Sequence, residues 1–595
     1  MLIIWSAASD TIYAQGYKYI VSATETPVSL MPKPEIDHMA SLGVKKVAII
    51  YVDEPFPAGL AQHAKRLADK NGIEVTTYEK YSPGTKDFTI LLQKVRMSKA
   101  DAFYASAYMD DQKIMIRQMK EANLMFPYVY MVYSGMPQWA DLEDDGLYIF
   151  GHTLYHDSLN WSVNAGLSRA EFEKVFDKTF PNSENPPDFQ TSLSYGAGVL
   201  LEKFIKKAKE LILDSVACMV GGVKSTQGEK IIEVFASMKG VPEVQIYGSP
   251  EKLPLLNAIY VNSYLATTLD FDDTYDGHPG STVVPVALGI GELNNIDGKA
   301  LIESVVAGYE IGIRISNGIK PTPERTKKVR GINTWQIFCA TTVAAKLFKL
   351  SRDQTAHAHG HAAIHASVPS LRKWGFIDGK IQWLKNNFGW TSYGGVLSAL
   401  LSREGFIADT TIFDGQDGFW IMASSDQCDF DALREPMDSF YTLKVHTKPY
   451  SACRHIHPTL DAVSAIVEES RPAPEHIDEV EVQTFYEVVK DYTFLPSLPF
   501  DVVFSAPHLI ALALHGIPPG ADWFKEEHLR NKEIRKIAQK VNITEWDEAS
   551  KLYPLVNREL MSKVQIKEKS GIVYNKTVRI PKGDPRNPMS THRFG

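Results

Sequence analysis

The hydrophobic pattern of the chain changes type near residue 205, and this change limits the possible fold more than any other feature. Residues 45–155 alternate apolar runs, such as VKKVAIIYV and DAFYASAY, with amphipathic stretches such as AGLAQHAKRLADKNG. Apolar strands separated by helices predict a parallel, doubly wound α/β sheet. No glycine-rich loop follows the first strand, which disfavours a nucleotide-binding fold.

The rest of the chain is first helical and then mixed. From 206 to about 435, apolar residues recur every three and four positions, as in LIESVVAGYEIGIRISNGI, which predicts one helix after another. From about 440 to 585, strand-like LKVHTK, EVEVQTFYEVV and GIVYNKTVRIP lie between helices, which predicts mixed α and β structure. We therefore predict three domains, 1–205, 206–435 and 436–595. The junction at 195–217 contains no linker composition and is compatible with one continuous helix.

Composition excludes several classes of function. The chain of 595 residues has a net charge of −8, so we expect neither nucleic acid nor an anionic membrane as a partner. Its four cysteines are widely spaced and form no CxxC pair, which argues against a disulfide frame or a zinc ribbon. No apolar run reaches the roughly 18–20 residues of a membrane-spanning helix, and the N-terminus lacks a basic leader. These features predict a protein of the cytoplasm without membrane insertion.

Residues 269–280, LDFDDTYDGHPG, concentrate four carboxylates and one histidine in a short stretch. Asp270 and Thr274 share a face if the stretch is helical. His278 follows in a Gly-His-Pro turn, which can direct an imidazole into a cleft. Acid, hydroxyl and imidazole together are suited to proton transfer beside a carboxylate. The alternative is a cluster of caps and turns before a helix over 281–293.

This segment resembles the signature of the MmgE/PrpD family, which includes 2-methylcitrate dehydratase, cis-aconitate decarboxylase and iminodisuccinate epimerase. Further stretches resemble the family in the same order along residues 205–595, and an ordered set is more specific than one motif. They are AKELILDSVACMVGG, DGKALIESVVAGYEIGIRIS, GWTSYGGVLSALLSREGF, KPYSACRHIHPTLDAV, FSAPHLIALALHG and GDPRNPMS. The resemblance implies a helical domain and a smaller α+β domain with the active site between them, and a homodimer. It also implies that helices of the family beyond GDPRNPMS are missing.

The resemblance also implies a site and an activity. The activity is that of a lyase or isomerase that removes an α-proton from a small di- or tricarboxylate, without metal or cofactor. Lysines supply charge for carboxylates, and a histidine can move a proton near neutral pH. The family positions correspond to Asp270, Thr274, His278, Lys385 and Lys448, with Cys453 as a substrate contact.

Two positions depart from the family pattern. Asn333 stands where the family has a histidine, and His508 stands where it has a tyrosine. Asparagine cannot shuttle a proton, whereas His508 can, so the base has moved or activity is lost. A separate helix carries His357, His361 and His365 at metal-ligand spacing, but no carboxylate shares its face, so we predict no metal site there.

Residues 1–205 resemble the type I periplasmic binding proteins for branched-chain amino acids. The resemblance implies one complete lobe of a two-lobed clamp, and therefore an incomplete ligand site. Its ligand loop corresponds to Ala7, Ala8 and Ser9, with Phe56 and Tyr108 as aromatic walls. The alternative is that these are ordinary loop residues. Three functions stay open: the cofactor-independent enzyme, an amino-acid-binding module of a transport receptor, and an inactive truncated fusion.

Overall fold

The protein is described here by a computed structural model. It covers the chain except residues 1, 5–7, 11–19, 23–26, 154, 157–158, 160–162, 164–165, 184, 327, 331, 368–369, 372–386, 435–439, 554–558 and 590–595. The chain divides into two compact units, Met1–Lys203 and Phe204–Gly595. Helix Phe189–Val223 contains the boundary between them, which confirms the predicted continuous helix over 195–217.

The first unit is built on a four-stranded parallel sheet. Strand residues Val47 and Ile49 pack into one hydrophobic core, while their neighbours Ala48 and Ile50 pack into a second core. Alternate side chains point to opposite faces of a strand, so both faces of the sheet are covered. The predicted doubly wound α/β fold is confirmed. In spatial order, the strands are Glu74–Tyr81, Lys46–Val52, Ala102–Ser106 and Tyr128–Met131.

Helices of the first unit alternate with these strands. Helix Pro55–Lys70 starts with a proline in its first turn, where the missing N–H is tolerated, and buries Leu60 and Ala64. A separate parallel pair joins Leu2–Ile4 to Ile20–Ser22. The other helical segments are Lys33–Ser41, Thr89–Met97, Met109–Glu121, the 3₁₀ segment Pro137–Gly146, and Arg169–Thr179.

The second unit begins with a bundle of helices around one hydrophobic core. Close packing depends on Gly312, because a Cβ there would lie 2.0 Å from the Cys339 sulfur on the neighbouring helix. Two short strand pairs flank the bundle, Val244–Gln245 with Lys252–Leu253 and Val329–Arg330 with Ser370–Leu371. The helices after Val223 are Thr226–Ser237, Leu255–Thr267, Gly280–Asn294, Gly298–Gly318, Pro323–Thr326, Ile332–Leu347, Arg352–His365, Phe388–Arg403, Phe419–Met422 and Phe430–Arg434.

A second core in the same unit lies under a mixed four-stranded sheet. The strand Ile477–Thr484 pairs parallel with Val541–Glu545 and antiparallel with Ser562–Glu568, which pairs in turn with Val573–Val578. The helices here are His457–Ser470, Tyr486–Asp491, Ala506–Leu514, Glu526–Arg530, Lys532–Ala538 and Asp547–Leu552. The 3₁₀ segments are Tyr441–Lys444, Arg454–Ile456, Pro474–His476, Pro499–Phe504 and Ala521–Phe524.

One predicted strand is wrong. LKVHTK starts in the 3₁₀ segment Tyr441–Lys444, and within it His446 forms an isolated bridge instead of a ladder. Only one described residue, Thr274, forms a β-bridge with this segment, so its alternating apolar residues do not form a strand of a sheet. Within the part of the chain that the structure describes, no helix has the length and apolarity needed to cross a membrane.

Candidate active site

The acidic motif forms a tight loop between helices Leu255–Thr267 and Gly280–Asn294. Asp270 and Asp276 have left-handed backbone angles, with φ of 48° and 45°, which are uncommon outside glycine. The prediction that Asp270 and Thr274 share a helical face is therefore wrong. Asp273 holds the loop in place, since its carboxylate accepts hydrogen bonds from the Gly280 N–H at 2.9 Å and from the Tyr309 hydroxyl.

The loop places Asp270 against Lys448, which lies 178 positions later in the sequence. The Lys448 Nζ lies 2.6 Å from the Asp270 Oδ1 and 2.9 Å from the Asp270 carbonyl oxygen. Both side chains are buried, with 1% and 8% exposed. Burial lowers the pKa of the Lys448 ammonium, but Asp270 and Asp272 outweigh it and raise that pKa above its ordinary value. An ammonium has three N–H donors, so one remains for a substrate.

Beside this pair, Asp272 orients His278. The imidazole Nδ1 lies 3.2 Å from each Asp272 oxygen, and the Ser281 hydroxyl donates to the same carboxylate. Burial raises the pKa of Asp272, but His278, Lys448 and Ser281 more than offset this, so its pKa lies below the usual value. A carboxylate on Nδ1 fixes the hydrogen there, which leaves the Nε2 lone pair as a proton acceptor.

The backbone of His278 is held independently by Gln336. Its N–H donates to the Gln336 side-chain oxygen at 2.9 Å, and the Gln336 amide donates back to the His278 carbonyl at 2.6 Å. The imidazole Nε2 is 3.9 Å from the Asp270 Oδ1, and 13% of the side chain is exposed. The base is thus fixed in position but accessible to a small molecule.

We call Asp270, Asp272, His278 and Lys448 the ion-pair cluster. Ligand atoms of its two carboxylates and histidine lie within 4.8 Å of one another, a spacing that suits a metal ion. However, the Lys448 ammonium lies 2.6 Å from an Asp270 oxygen. A lysine ammonium there repels a cation and attracts a carboxylate, so the arrangement favours an anionic substrate.

Two further buried carboxylates lie near the cluster. Burial is the main cause that raises the pKa of Asp273 to about 6. Burial, followed by Asp273 and Asp272, raises the pKa of Asp214 well above its usual range. Neither residue was predicted as part of the site. For Asp214, the available signal was a carboxylate within the apolar run LILDSVACMVGG of this helix.

A second segment, residues 446–448, packs against the loop. Thr274 and His446 exchange both backbone hydrogen bonds, at 3.0 and 3.1 Å, and the Thr274 hydroxyl donates to the Gly277 carbonyl at 2.7 Å. The Thr447 N–H donates to the Gly583 carbonyl at 3.0 Å. The GDPRNP motif is therefore placed behind the segment that carries Lys448.

Arg454 and Asp584 hold His446 from behind. The Arg454 Nη2 lies 3.2 Å from the His446 Nδ1, while an Asp584 oxygen lies 3.5 Å from the same nitrogen. Arg586 already occupies both Asp584 oxygens, at 2.9 and 3.0 Å. Burial, reinforced by Arg454, lowers the pKa of His446 to about 3. Sequence reasoning did not identify His446, Arg454 or Asp584, because their contacts join distant segments.

The remaining predicted enzyme residues have different placements. Cys453 lies near the cluster. Burial raises the pKa of its thiol, but the effect of His455 is larger and brings that pKa down to about 7. His508 is buried, and burial with Arg535 and His528 lowers its pKa to about 4. The described contacts of His508 do not include the ion-pair cluster. Lys385 lies outside the described residues, as does the side chain of Asn333, whose backbone is in helix Ile332–Leu347.

The histidines of helix Arg352–His365 bond to nearby protein groups. The His357 Nδ1 and the His361 Nε2 lie 2.8 and 3.1 Å from the backbone carbonyls of Ala408 and Phe406. The His365 Nδ1 lies 2.9 Å from the Ser398 hydroxyl. These contacts tie the helix to the 406–408 turn and to the neighbouring helix.

The predicted ligand residues of the first unit lie at the carboxyl ends of strands. Phe56 and Tyr108 follow the adjacent strands Lys46–Val52 and Ala102–Ser106, and the Tyr108 ring stacks on Tyr133 at 6.3 Å. Ala8 and Ser9 are buried, whereas Ala7 lies outside the described residues. Ligands of open α/β sheets bind at this end of the strands.

Comparison with family models identifies three domains. Residues 194–431 match the MmgE/PrpD N-terminal domain, and residues 450–594 match the MmgE/PrpD C-terminal domain. Residues 2–250 match the periplasmic binding protein model. The MmgE/PrpD N-terminal match and the periplasmic binding protein match overlap over residues 194–250, which include most of the helix that contains the unit boundary.

Individual relatives agree with these matches. A cis-aconitate decarboxylase of Aspergillus terreus is 23% identical over 274 residues, which cover 44% of this chain and 55% of that protein. Leu/Ile/Val-binding protein homolog 1 of Brucella abortus is 26% identical over 163 residues, covering 27% of this chain and 42% of that protein. The chain thus spans about half the length of these relatives. A leucine-binding protein structure from Thermotoga maritima gives a TM-score of 0.30 at 18% identity, covering 35% of this chain and 57% of that one.

Proposed function

We propose that the second unit of the chain is a cofactor-independent lyase or isomerase. The chain belongs to the MmgE/PrpD family over residues 194–431 and 450–594, and it carries a periplasmic binding protein domain at its N-terminus. The substrate is a small di- or tricarboxylate. The observation that carries this proposal is the ion-pair cluster, in which an imidazole with a free Nε2 lies beside a buried ammonium.

The first step is removal of a proton from the carbon next to a substrate carboxylate. The His278 Nε2 accepts that proton, and the electron pair of the C–H bond moves into the carboxylate to form an enediolate. Asp272 stabilises the resulting imidazolium through its contact with Nδ1. A pre-oriented base in this position requires no rearrangement before proton transfer.

Lys448 stabilises the charge that develops on the substrate carboxylate. Two of its donors are directed to Asp270, and the third is available to the enediolate. A buried ammonium that is already in place interacts more strongly with charge than one in water. The enediolate then reacts in one of two ways. Either the hydroxyl on the next carbon takes the proton held by His278 and leaves as water, or the enediolate regains that proton on either face. The first outcome is elimination and the second is epimerisation.

Proton exchange tests this proposal without knowledge of the product. We would incubate the full chain in deuterated water with citrate and with cis-aconitate, and follow both compounds by NMR. The proposal expects deuterium next to a carboxylate in at least one of them, with or without net conversion. Absence of exchange from both compounds at high enzyme concentration would contradict it. Loss of water or of carbon dioxide would identify the reaction that follows.

A second candidate function concerns the first unit alone. The periplasmic binding protein match and the Leu/Ile/Val-binding relative favour an amino-acid ligand at the strand ends that carry Phe56 and Tyr108. Burial, together with Glu54, raises the pKa of Tyr108 to about 12, so the ring stays neutral as a binding wall should. Calorimetric titration of the full chain with leucine tests this function. Heat of binding that disappears in Tyr108→Ala supports the function, and an unchanged titration in that variant contradicts it.

A further inference from the structure

His446 presents an unused hydrogen-bond donor next to the ion-pair cluster. Arg454 can only donate, so its 3.2 Å contact makes the His446 Nδ1 an acceptor and places the ring hydrogen on Nε2. The side chain is 27% exposed, and within the described part of the chain Nε2 has no hydrogen-bond partner. His446 is therefore a neutral N–H donor that faces accessible space.

The bridge with Thr274 sets the direction of this donor. Residues that exchange both hydrogen bonds in an antiparallel pair project their side chains to the same face. His446 thus shares a face with Thr274. Lys448 lies two positions beyond His446, which gives the same face in extended backbone. By this alternation, the two side chains leave the segment 446–448 on the same side.

Lys207 provides a second unused donor. It is half-buried on helix Phe189–Val223, and none of the described residues forms an ion pair or hydrogen bond with its ammonium. Lys207 precedes Asp214 by seven positions, so both lie on one helix face, about 10 Å apart along the axis. Its charge lowers the pKa of His446 and the pKa of Asp273, which places it near both groups. Burial, in turn, lowers the pKa of the Lys207 ammonium.

We propose that Lys207 and His446 form a second carboxylate-binding subsite, which selects substrates with more than one carboxylate. This inference rests on the proposed function, and it adds the residues that determine substrate class. One carboxylate of the substrate binds at Lys448, beside the base, and another accepts the His446 Nε2–H and pairs with Lys207. A half-buried ammonium and a neutral N–H bind a carboxylate strongly, because neither has a partner among the described residues to give up.

Arg454 acts here as a positioning residue. It fixes the ring hydrogen of His446 on Nε2, and burial together with the positive charges around the ring lowers the pKa of the imidazole and keeps it neutral. The charged groups that act on this imidazole are Arg454, Asp584, Lys207 and Arg586. The imidazole therefore stays neutral from pH 5 to pH 8, whereas an ordinary surface histidine gains a proton near pH 6.5.

Calorimetry with tricarballylate, a tricarboxylate that lacks a leaving group, tests the subsite on the full chain. Lys207→Met and His446→Leu should each weaken binding by about 10- to 100-fold, whereas His446→Gln, which keeps an N–H donor, should lose less. Lys206→Met is the matched control, since Lys206 is exposed on the same helix, and its affinity should equal that of the wild type. Equal affinities of Lys207→Met and Lys206→Met would overturn the proposal, as would absence of binding to the wild type.

Nitrogen NMR of histidine-labelled protein gives a readout that does not depend on affinity. His446 should show an unprotonated Nδ1 and a protonated Nε2 from pH 5 to pH 8, and its Nε2–H should shift on addition of tricarballylate. Arg454→Met should remove the fixed tautomer. A hydrogen on Nδ1 in the wild type, or titration near pH 6.5, would overturn the proposal. Binding that depends on Lys207 without any deuterium exchange would refute the proposed reaction and leave the subsite standing.

Discussion

Replacing Lys448 by methionine tests how much the ion pair at the centre of the site contributes to stability. Methionine keeps most of the side-chain volume but leaves the Asp270 carboxylate buried without its counter-ion. Removing one partner of a buried ion pair typically costs about 3–5 kcal/mol. The carboxylate can escape by taking up a proton. Holding an aspartate protonated at pH 7 costs about 4 kcal/mol, which agrees with that range.

This reasoning also sets the sign of the pH dependence. The cost of protonating an aspartate falls to about 1.5 kcal/mol at pH 5. The free energy of unfolding of Lys448→Met should therefore lie about 3–5 kcal/mol below that of the wild type at pH 7, and the gap should narrow towards pH 5. Urea unfolding, followed by near-ultraviolet circular dichroism, measures both values, with transitions of the two units fitted separately.

Two controls define the result. Lys299→Met replaces an exposed lysine and should change stability by less than about 0.5 kcal/mol. The double variant Lys448→Met with Asp270→Asn removes both charges, so its loss should be at least about 2 kcal/mol smaller than the sum of the two single losses. A Lys448→Met loss below about 1 kcal/mol at pH 7, or additive single losses, would refute the buried ion pair.

Three further predictions concern metal, pH and backbone packing. Dialysis against a chelator should leave deuterium exchange and melting temperature unchanged, and a loss restored by zinc or iron would show that the protein uses a metal. The pKa of Asp273 is raised to about 6, so the folded protein binds its proton more tightly and loses stability as pH rises from about 4 to 6. In urea unfolding, Asp273→Asn should therefore gain about 3 kcal/mol relative to the wild type between pH 4 and pH 7, and a constant difference would contradict this. Gly583→Ala should destabilise by about 1–3 kcal/mol in thermal unfolding, because φ is 82° and a Cβ would lie 2.1 Å from the Thr447 carbonyl; unchanged stability would contradict that geometry.

Local patterns predicted the first unit well. The strand predicted as VKKVAIIYV is Lys46–Val52, and the helix expected from residue 58 begins at Pro55. Alternation of apolar strands and amphipathic helices depends on neighbouring residues, so it can be read from sequence. The helix expected over 281–293 is likewise close to the observed Gly280–Asn294.

The site was less predictable, because its contacts join distant parts of the chain. Spacing suggested a helical face for Asp270 and Thr274, but hydrogen bonds donated to the Asp273 carboxylate and the bridge to His446 hold a loop instead. Lys448 was identified by family resemblance rather than by spacing, since no local pattern links it to Asp270. Tertiary contacts of this kind override local propensity.

The most direct test of the account compares deuterium exchange by the wild type, by His278→Asn and by His361→Asn in the full chain. His361 is the matched control, since its ring bonds to the Phe406 carbonyl and lies outside the site. Asparagine in place of His278 keeps a polar side chain but cannot accept the proton, so the exchange rate should fall by at least about 100-fold. His361→Asn should retain the wild-type rate. Full exchange by His278→Asn would show that another group removes the α-proton and would contradict the central claim.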